Sequence, residues 1–219
     1  MLSNLRHRPT GPTTPGTSQA ASARRRITRP SAGDLFHLAN VHAPHFETPL
    51  DPKRLTKWAL GIWRTNIDAR LAVPTARYLA ASGLVLPDCI DGEFLRFNPR
   101  LKYGGDRRCA GLVWLLRDVF DDAPVAILRV YLNDDATLIA RRTLGRLYYT
   151  AVKLSDDADV TAGLHITPSV ESALKPMGSG LRPVWAVIGV DAIEAFPAIP
   201  GIEAVTIIDN DGGVMPRPS

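Results

Sequence analysis

At 219 residues the chain has room for one good domain or two small ones, with enough core to fold without covalent staples. A hydrophobic fraction of 45% fits a globular protein, and no apolar run reaches the roughly 18 residues that a membrane span requires, so no membrane partner is expected. Cys89 and Cys109 stand 20 positions apart without CxxC spacing or a neighbouring histidine, which argues for a reducing, cytoplasmic setting and against a cysteine-based zinc site.

The net charge of +4 is misleading when read over the whole chain. Residues 1–33 contain Arg6, Arg8, Arg24, Arg25, Arg26 and Arg29 and no Asp or Glu; without those six arginines, 20 basic residues face 22 acidic ones. This stretch is rich in Pro, Thr, Ser and Gly and lacks the apolar run of a signal peptide. Its acid-free, Arg- and Ser-bearing composition has something of a transit peptide, but Pro and Gly break any amphipathic helix, so targeting is not expected. The reading is a disordered basic arm over 1–33. Attraction to nucleic acid would start at Arg24, Arg25, Arg26 and Arg29, although a run of charge is more commonly just solvated. His37, His42 and His45 follow, but no two share a helical face at i, i+4 and Pro44 interrupts them, so a metal site is not expected there.

An α+β region is predicted over 34–160. Asp51 as N-cap and Pro52 at the first helical position open a helix over 52–71. Leu55, Trp58, Ala59, Ile62 and Trp63 make one apolar stripe, and the tryptophans are read as core. A second helix over 74–82 turns Tyr78 and Leu79 inward and ends at Gly83. Strands are predicted over 93–97, 111–117, 125–132, 137–142 and 148–154, with the acidic turn Asp121-Asp122 making a hairpin of the second and third. Together these form a small antiparallel sheet packed on two helices. Asp156, Asp157 and Asp159 mark a solvated boundary without the glycine and downstream glutamate of a calcium loop.

From 161 to 219 the pattern alternates. Strands are predicted at 164–167, 184–189 and 204–208, with helical segments at 170–175 and 191–196 between them. Crossovers of this length imply right-handed βαβ units and a parallel, Rossmann-like α/β sheet. The run Ala204-Val205-Thr206-Ile207-Ile208 ends in Asp209-Asn210-Asp211-Gly212-Gly213, and ligands of open α/β sheets sit at such strand ends. Two carboxylates two residues apart could hold Mg²⁺; the same sequence is also good turn chemistry. Residues 215–219 are not expected to add a strand, so the sheet is predicted to end at 204–208 with an exposed edge that could recruit another chain.

Several stretches carry a resemblance in their order: Ala76-Arg77-Tyr78-Leu79, Leu95-Arg96-Phe97-Asn98-Pro99, Leu112-Val113-Trp114-Leu115-Leu116-Arg117-Asp118, Leu144-Gly145, Ala151-Val152-Lys153-Leu154, Val170-Glu171-Ser172-Ala173-Leu174 and Ile207-Ile208-Asp209-Asn210-Asp211. Over about 160 residues they resemble the Toprim domain of phage- and plasmid-type DNA primases and the uncharacterised domain preceding it. The resemblance implies Mg²⁺ on Asp209 and Asp211, DNA or an RNA/DNA hybrid and replication proteins as partners, and nucleotidyl transfer in replication of a mobile element. It also implies a Glu-Gly pair after the first Toprim strand, where this chain has Pro168-Ser169. Glu171 matches the family's helix-borne glutamate and is the remaining candidate for acid/base work, about one turn beyond the missing residue. With no cysteines for the family's zinc module, the chain reads as a shortened, partly degenerate member. Catalysis is then weakened or lost, and the alternatives are a non-catalytic replication accessory or an unrelated α+β domain with a structural acidic turn. A metal-dependent hydrolase of small phosphates finds no support, since no Gly-rich phosphate loop is present.

Overall fold

Twelve residues from Arg107 to Asp118 form the longest strand, β3, and the two halves of the sheet are joined through it. The computed structural model describes residues 51–208 and 214–216. The chain divides into two units, Met1–Ser31 and Ala32–Ser219, and every described residue belongs to the second. The arginines of the basic arm, the histidines at 37, 42 and 45, and Asp209 and Asp211 lie outside the described residues.

Helix α1 (Pro52–Arg64) starts as predicted, with the Asp51 carboxylate accepting the Lys53 N–H at 3.0 Å. It stops seven residues short of the predicted end. Thr65 turns both its N–H and its hydroxyl onto the carbonyl of Ile62, and Ile67 leaves to pair with Phe97 as β1 (Ile67–Asp68). Asp68 then caps a short 3-10 turn, Ala69–Leu71. Thr65, Asn66 and Asp68 offer the backbone local partners that compete with helix, which the apolar period does not reveal.

The buried stripe of α1 is also narrower than predicted. Ala59 and Trp63 are buried, but Trp58 is 45% exposed, with the Arg54 guanidinium 4.9 Å from its ring centre. A bond from the Thr56 hydroxyl to the Val125 carbonyl anchors the helix to the sheet and fixes its rotation. Helix α2 (Val73–Ala81) buries Tyr78 and Leu79. Gly83, at φ 66°, closes it: its N–H reaches the Ala80 carbonyl and the Leu84 N–H reaches that of Leu79.

Strands β2 (Leu95–Gly104), β3, β4 (Pro124–Leu132) and β5 (Leu138–Gly145) pair antiparallel in the order β2-β3-β4-β5. Val113 and Leu115 of β3 pack with Ala59 and Trp63 of α1, while Leu112, Trp114 and Leu116 pack with Tyr78 and Leu79 of α2. Alternation along one strand thus puts the two helices on opposite faces. Beyond the start of β2, the same edge of β3 takes up β6 (Thr150–Lys153), pairing Arg117 with Ala151.

β6 carries the sheet onward. It pairs antiparallel with β8 (Val184–Ala186), and β8 and β9 (Ala204–Ile208) both pair parallel to β7 (Gly163–Thr167) between them. Val184 and Ala186 pack with Val170, Ala173, Leu174 and Met177 of α3 (Val170–Gly178). Trp185 and Val187 pack with Ile193 of α4 (Val190–Glu194) and with Phe196 on the other face. The architecture is α+β, built on a mixed and largely antiparallel sheet.

One prediction about the sheet's end is corrected. β9 is not the last strand: β10 (Val214–Pro216) pairs antiparallel along it, with Val214 opposite Ile208. Pro216 removes one donor, but at the end of an edge strand that donor is not needed.

Candidate functional site

The turn after β7 is where the resemblance looks for a Glu-Gly pair. Its carbonyls are engaged. The Val187 N–H donates to the Thr167 carbonyl at 2.8 Å and the Gly189 N–H to the Pro168 carbonyl at 3.0 Å, tying the ends of β7 and β8 together. The Ser169 hydroxyl accepts the Ser172 N–H and caps α3. Neither Pro168 nor Ser169 brings a carboxylate to this strand end.

Glu171 sits in the first turn of α3, on the face turned toward α2 and β5. Its Oε1 accepts the Tyr78 hydroxyl at 2.6 Å and Arg141 Nη2 at 2.9 Å, and Arg141 Nη2 also donates to the Tyr78 oxygen at 2.9 Å. Burial alone would push the Glu171 pKa up; the Tyr78 hydrogen bond and the Arg141 charge overcome it and hold the carboxyl below its ordinary range. Burial, reinforced by the Glu171 carboxylate, pushes the Tyr78 phenol well above its ordinary value. Glu171 is therefore ionised at neutral pH, an acceptor that clamps α3 to α2 and β5. Among the described residues no three His, Cys, Asp or Glu side chains are grouped to hold a metal ion. The described end of β7 offers Mg²⁺ no free carboxylate, because Pro168 and Ser169 have none and Glu171 is engaged by Tyr78 and Arg141.

This clamp can be measured. Tyr78→Phe and Glu171→Gln are each expected to destabilise the protein by about 1.5–3 kcal/mol, the worth of a hydrogen bond to a charged group. In the double variant the losses should fall short of their sum by about 1–2 kcal/mol, read from urea unfolding of the four proteins. Strictly additive losses would show that the two side chains act separately.

A second polar cluster borders a cleft of about 270 Å³ lined by Glu93, Phe94, Arg117, Asp122, Lys153 and the acidic turn at 156–157. Lys153 is 3% exposed, yet it lies in a strand whose four residues are all buried. Its Nζ meets Asp157 at 2.7 Å and Asp122 at 3.2 Å and lies 4.6 Å from the centre of the Trp185 ring. Asp122 also binds Arg117 at 2.9 Å. The ammonium is paired on two sides and stacked on a third, so this cluster is a closed structural network joining β6 to the β3–β4 turn and to the acidic boundary.

No family model, curated protein or solved structure matches the chain. The site is therefore read from its own residues. Setting the six arginines of residues 1–33 aside leaves the rest of the chain slightly acidic as a whole. Within the described body the charge is partitioned: residues 51–154 hold seventeen basic and eleven acidic residues, whereas 155–208 hold two basic and seven acidic ones. Arg107, Arg129 and Arg142, with Tyr103 and Tyr131, went unnoticed in the sequence. For Arg129 the available signal was an arginine set between the apolar residues Leu128 and Val130 of a strand.

Proposed function

We propose that this chain is a Toprim/primase-like protein of mobile-element DNA replication, cytoplasmic and associated with nucleic acid, in which Mg²⁺-dependent nucleotidyl transfer is weakened or lost. The observation that carries the reading is the parallel trio in the order β8-β7-β9, covered by helices on opposite faces, with Asp209-Asn210-Asp211 following β9 in the sequence. A parallel trio in this order supports reading it as a small Rossmann-like sheet, in which ligands gather where the strand order reverses, here between β7 and β9.

The loss of catalysis follows from chemistry at the same place. Metal-assisted phosphoryl transfer needs several carboxylates converging on one point. Pro168 and Ser169 supply none, and Glu171 is held as an ionised clamp by Tyr78 and Arg141. These bonds favour the non-catalytic accessory as the second reading, with the fold kept for binding nucleic acid or replication proteins.

The full chain is expected to bind oligonucleotides with affinity that falls as salt rises, and to synthesise primer on single-stranded template at background level. Binding to neither DNA nor RNA/DNA hybrid would overturn the reading; template-dependent synthesis above background would overturn the loss of catalysis. An Mg²⁺ titration of Asp209→Asn beside the natural chain tests the metal, and superimposable curves remove it from the account.

A further inference from the structure

Helix α1 covers only part of its face of the sheet. Beyond Ile127 and Leu115, the same face carries arginine and tyrosine. Arg129 of β4 and Arg142 of β5 are direct cross-strand partners. Like charges placed so destabilise a sheet. Neither they nor Arg107 pair with a carboxylate among the described residues.

Aromatic rings take the place of counter-charges. Arg142 and Arg107 lie 4.4 and 5.0 Å from the centre of the Tyr103 ring, which meets Tyr131 edge-on at 5.1 Å. Arg129 lies 5.7 Å from the centre of the Tyr131 ring. Its Nη2 reaches the Thr143 carbonyl, but its Nε is buried without an acceptor. Burial pushes the Arg129 pKa down, the Arg142 charge adds to this, and Tyr131 opposes it. Arg142 gives one Nη1–H to the Tyr103 carbonyl at 2.7 Å; stacking on tyrosine leaves the other edge N–H groups of a guanidinium able to meet a phosphate.

We propose that this arginine–tyrosine face binds the backbone of single-stranded nucleic acid, Arg107 and Arg142 meeting phosphates while Arg129 holds the local field positive. The proposal deepens the nucleic-acid reading above and rests on it. Three cations spread over β3, β4 and β5 make a track for a chain of phosphates rather than a pocket for one anion. Phosphate-tracking cations combined with aromatic rings are what sequence-tolerant single-strand binding uses. The surplus of positive charge in residues 51–154 would draw such a strand to this half of the molecule.

The test uses the full chain and a fluorescein-labelled oligothymidylate, with anisotropy read across a salt series. Arg107 and Arg142 are exposed, so the double variant R107A/R142A should keep its melting temperature. It is expected to bind on the order of tenfold more weakly, with a log–log salt slope shallower by about 1.4, from about 0.7 per lost phosphate contact. Arg129→Met should also bind more weakly while melting no lower than the natural chain, because it removes a repulsive, under-satisfied charge. Arg77→Ala and Lys175→Ala, on the helices of the opposite face, should leave binding unchanged. If R107A/R142A binds like the natural chain while deletion of residues 1–33 abolishes binding, this face is not the contact, though the nucleic-acid reading survives. Tighter binding to duplex than to single strand of equal length would also overturn the proposal. A natural chain that binds no oligonucleotide would overturn both.

Discussion

Replacing Asp118 by Ala is expected to lower the unfolding free energy by about 3–5 kcal/mol, the cost of leaving a largely buried charge without its partner. Asp118 closes β3 with its side chain only 4% exposed, and its partner Arg146 is 13% exposed. One carboxylate oxygen accepts Arg146; the other accepts the N–H groups of Phe120 and Asp121, which shape the turn into β4. Burial favours the neutral acid, but the Arg146 bond, the Phe120 amide and the Arg146 charge outweigh it and hold the pKa below its ordinary value. A double variant D118A/R146M should recover part of the loss, since no orphaned cation remains. Urea unfolding decides the matter, and a single-variant loss under about 1 kcal/mol would show that Arg146 finds another partner.

The same carboxylates set the acid limit. Asp118 and Glu171 both have folded pKa values below those of the unfolded chain, so their stabilisation is complete above the unfolded values, about 4. It is lost as pH falls through the folded values, because the unfolded state then binds more protons than the native one. The melting temperature should therefore fall below about pH 4. D118N and E171Q should melt lower at neutral pH and show a flatter acid limb.

Gly145→Ala is expected to be the other severe change, at about 2–6 kcal/mol, combining strain at a left-handed backbone with overpacking. Gly145 has φ 113°, and a Cβ there would lie 2.4 Å from the Val125 carbonyl oxygen and 2.6 Å from the Ala126 Cα. Both are backbone atoms of β4, so the two strands would have to part. Gly105, at φ 52° with nothing within 4 Å of its Cβ position, supplies the comparison. Gly105→Ala should cost only the conformational strain, about 1–2 kcal/mol, and the difference isolates the close approach. Equal losses would place the whole effect in the dihedral angle. Parting β4 from β5 would also disturb the register that sets Arg129 opposite Arg142, so Gly145→Ala should weaken oligonucleotide binding as well.

Much of the candidate site was out of reach of pattern reading for a definite reason. Glu171 was legible as a helix-borne acid, but its partners Tyr78 and Arg141 lie 93 and 30 positions away. Asp209 and Asp211 lie outside the described residues, as do the arm's arginines. Lys153 reads as an ordinary surface lysine until Asp122, Asp157 and Trp185 are brought around it.

The amino-acid sequence by itself determined the local elements. Asp51 and Pro52 opened α1, Gly83 closed α2, and the turn at Asp121-Asp122 joined two strands whose apolar runs were plain. These follow from caps, φ preferences and periods of 3.6 and 2, which act over a few residues. Tertiary structure alone decided which face each element buries and which strand it meets. Periodicity groups residues onto a face without saying what covers it, so Trp58 fell outside the core and Arg129 took a place between buried residues. Strand pairing is a non-local contest for backbone partners. Through it Ile67 left the helix for Phe97, β6 joined the antiparallel half to the parallel trio, and β10 extended a sheet whose end had been read one strand too early.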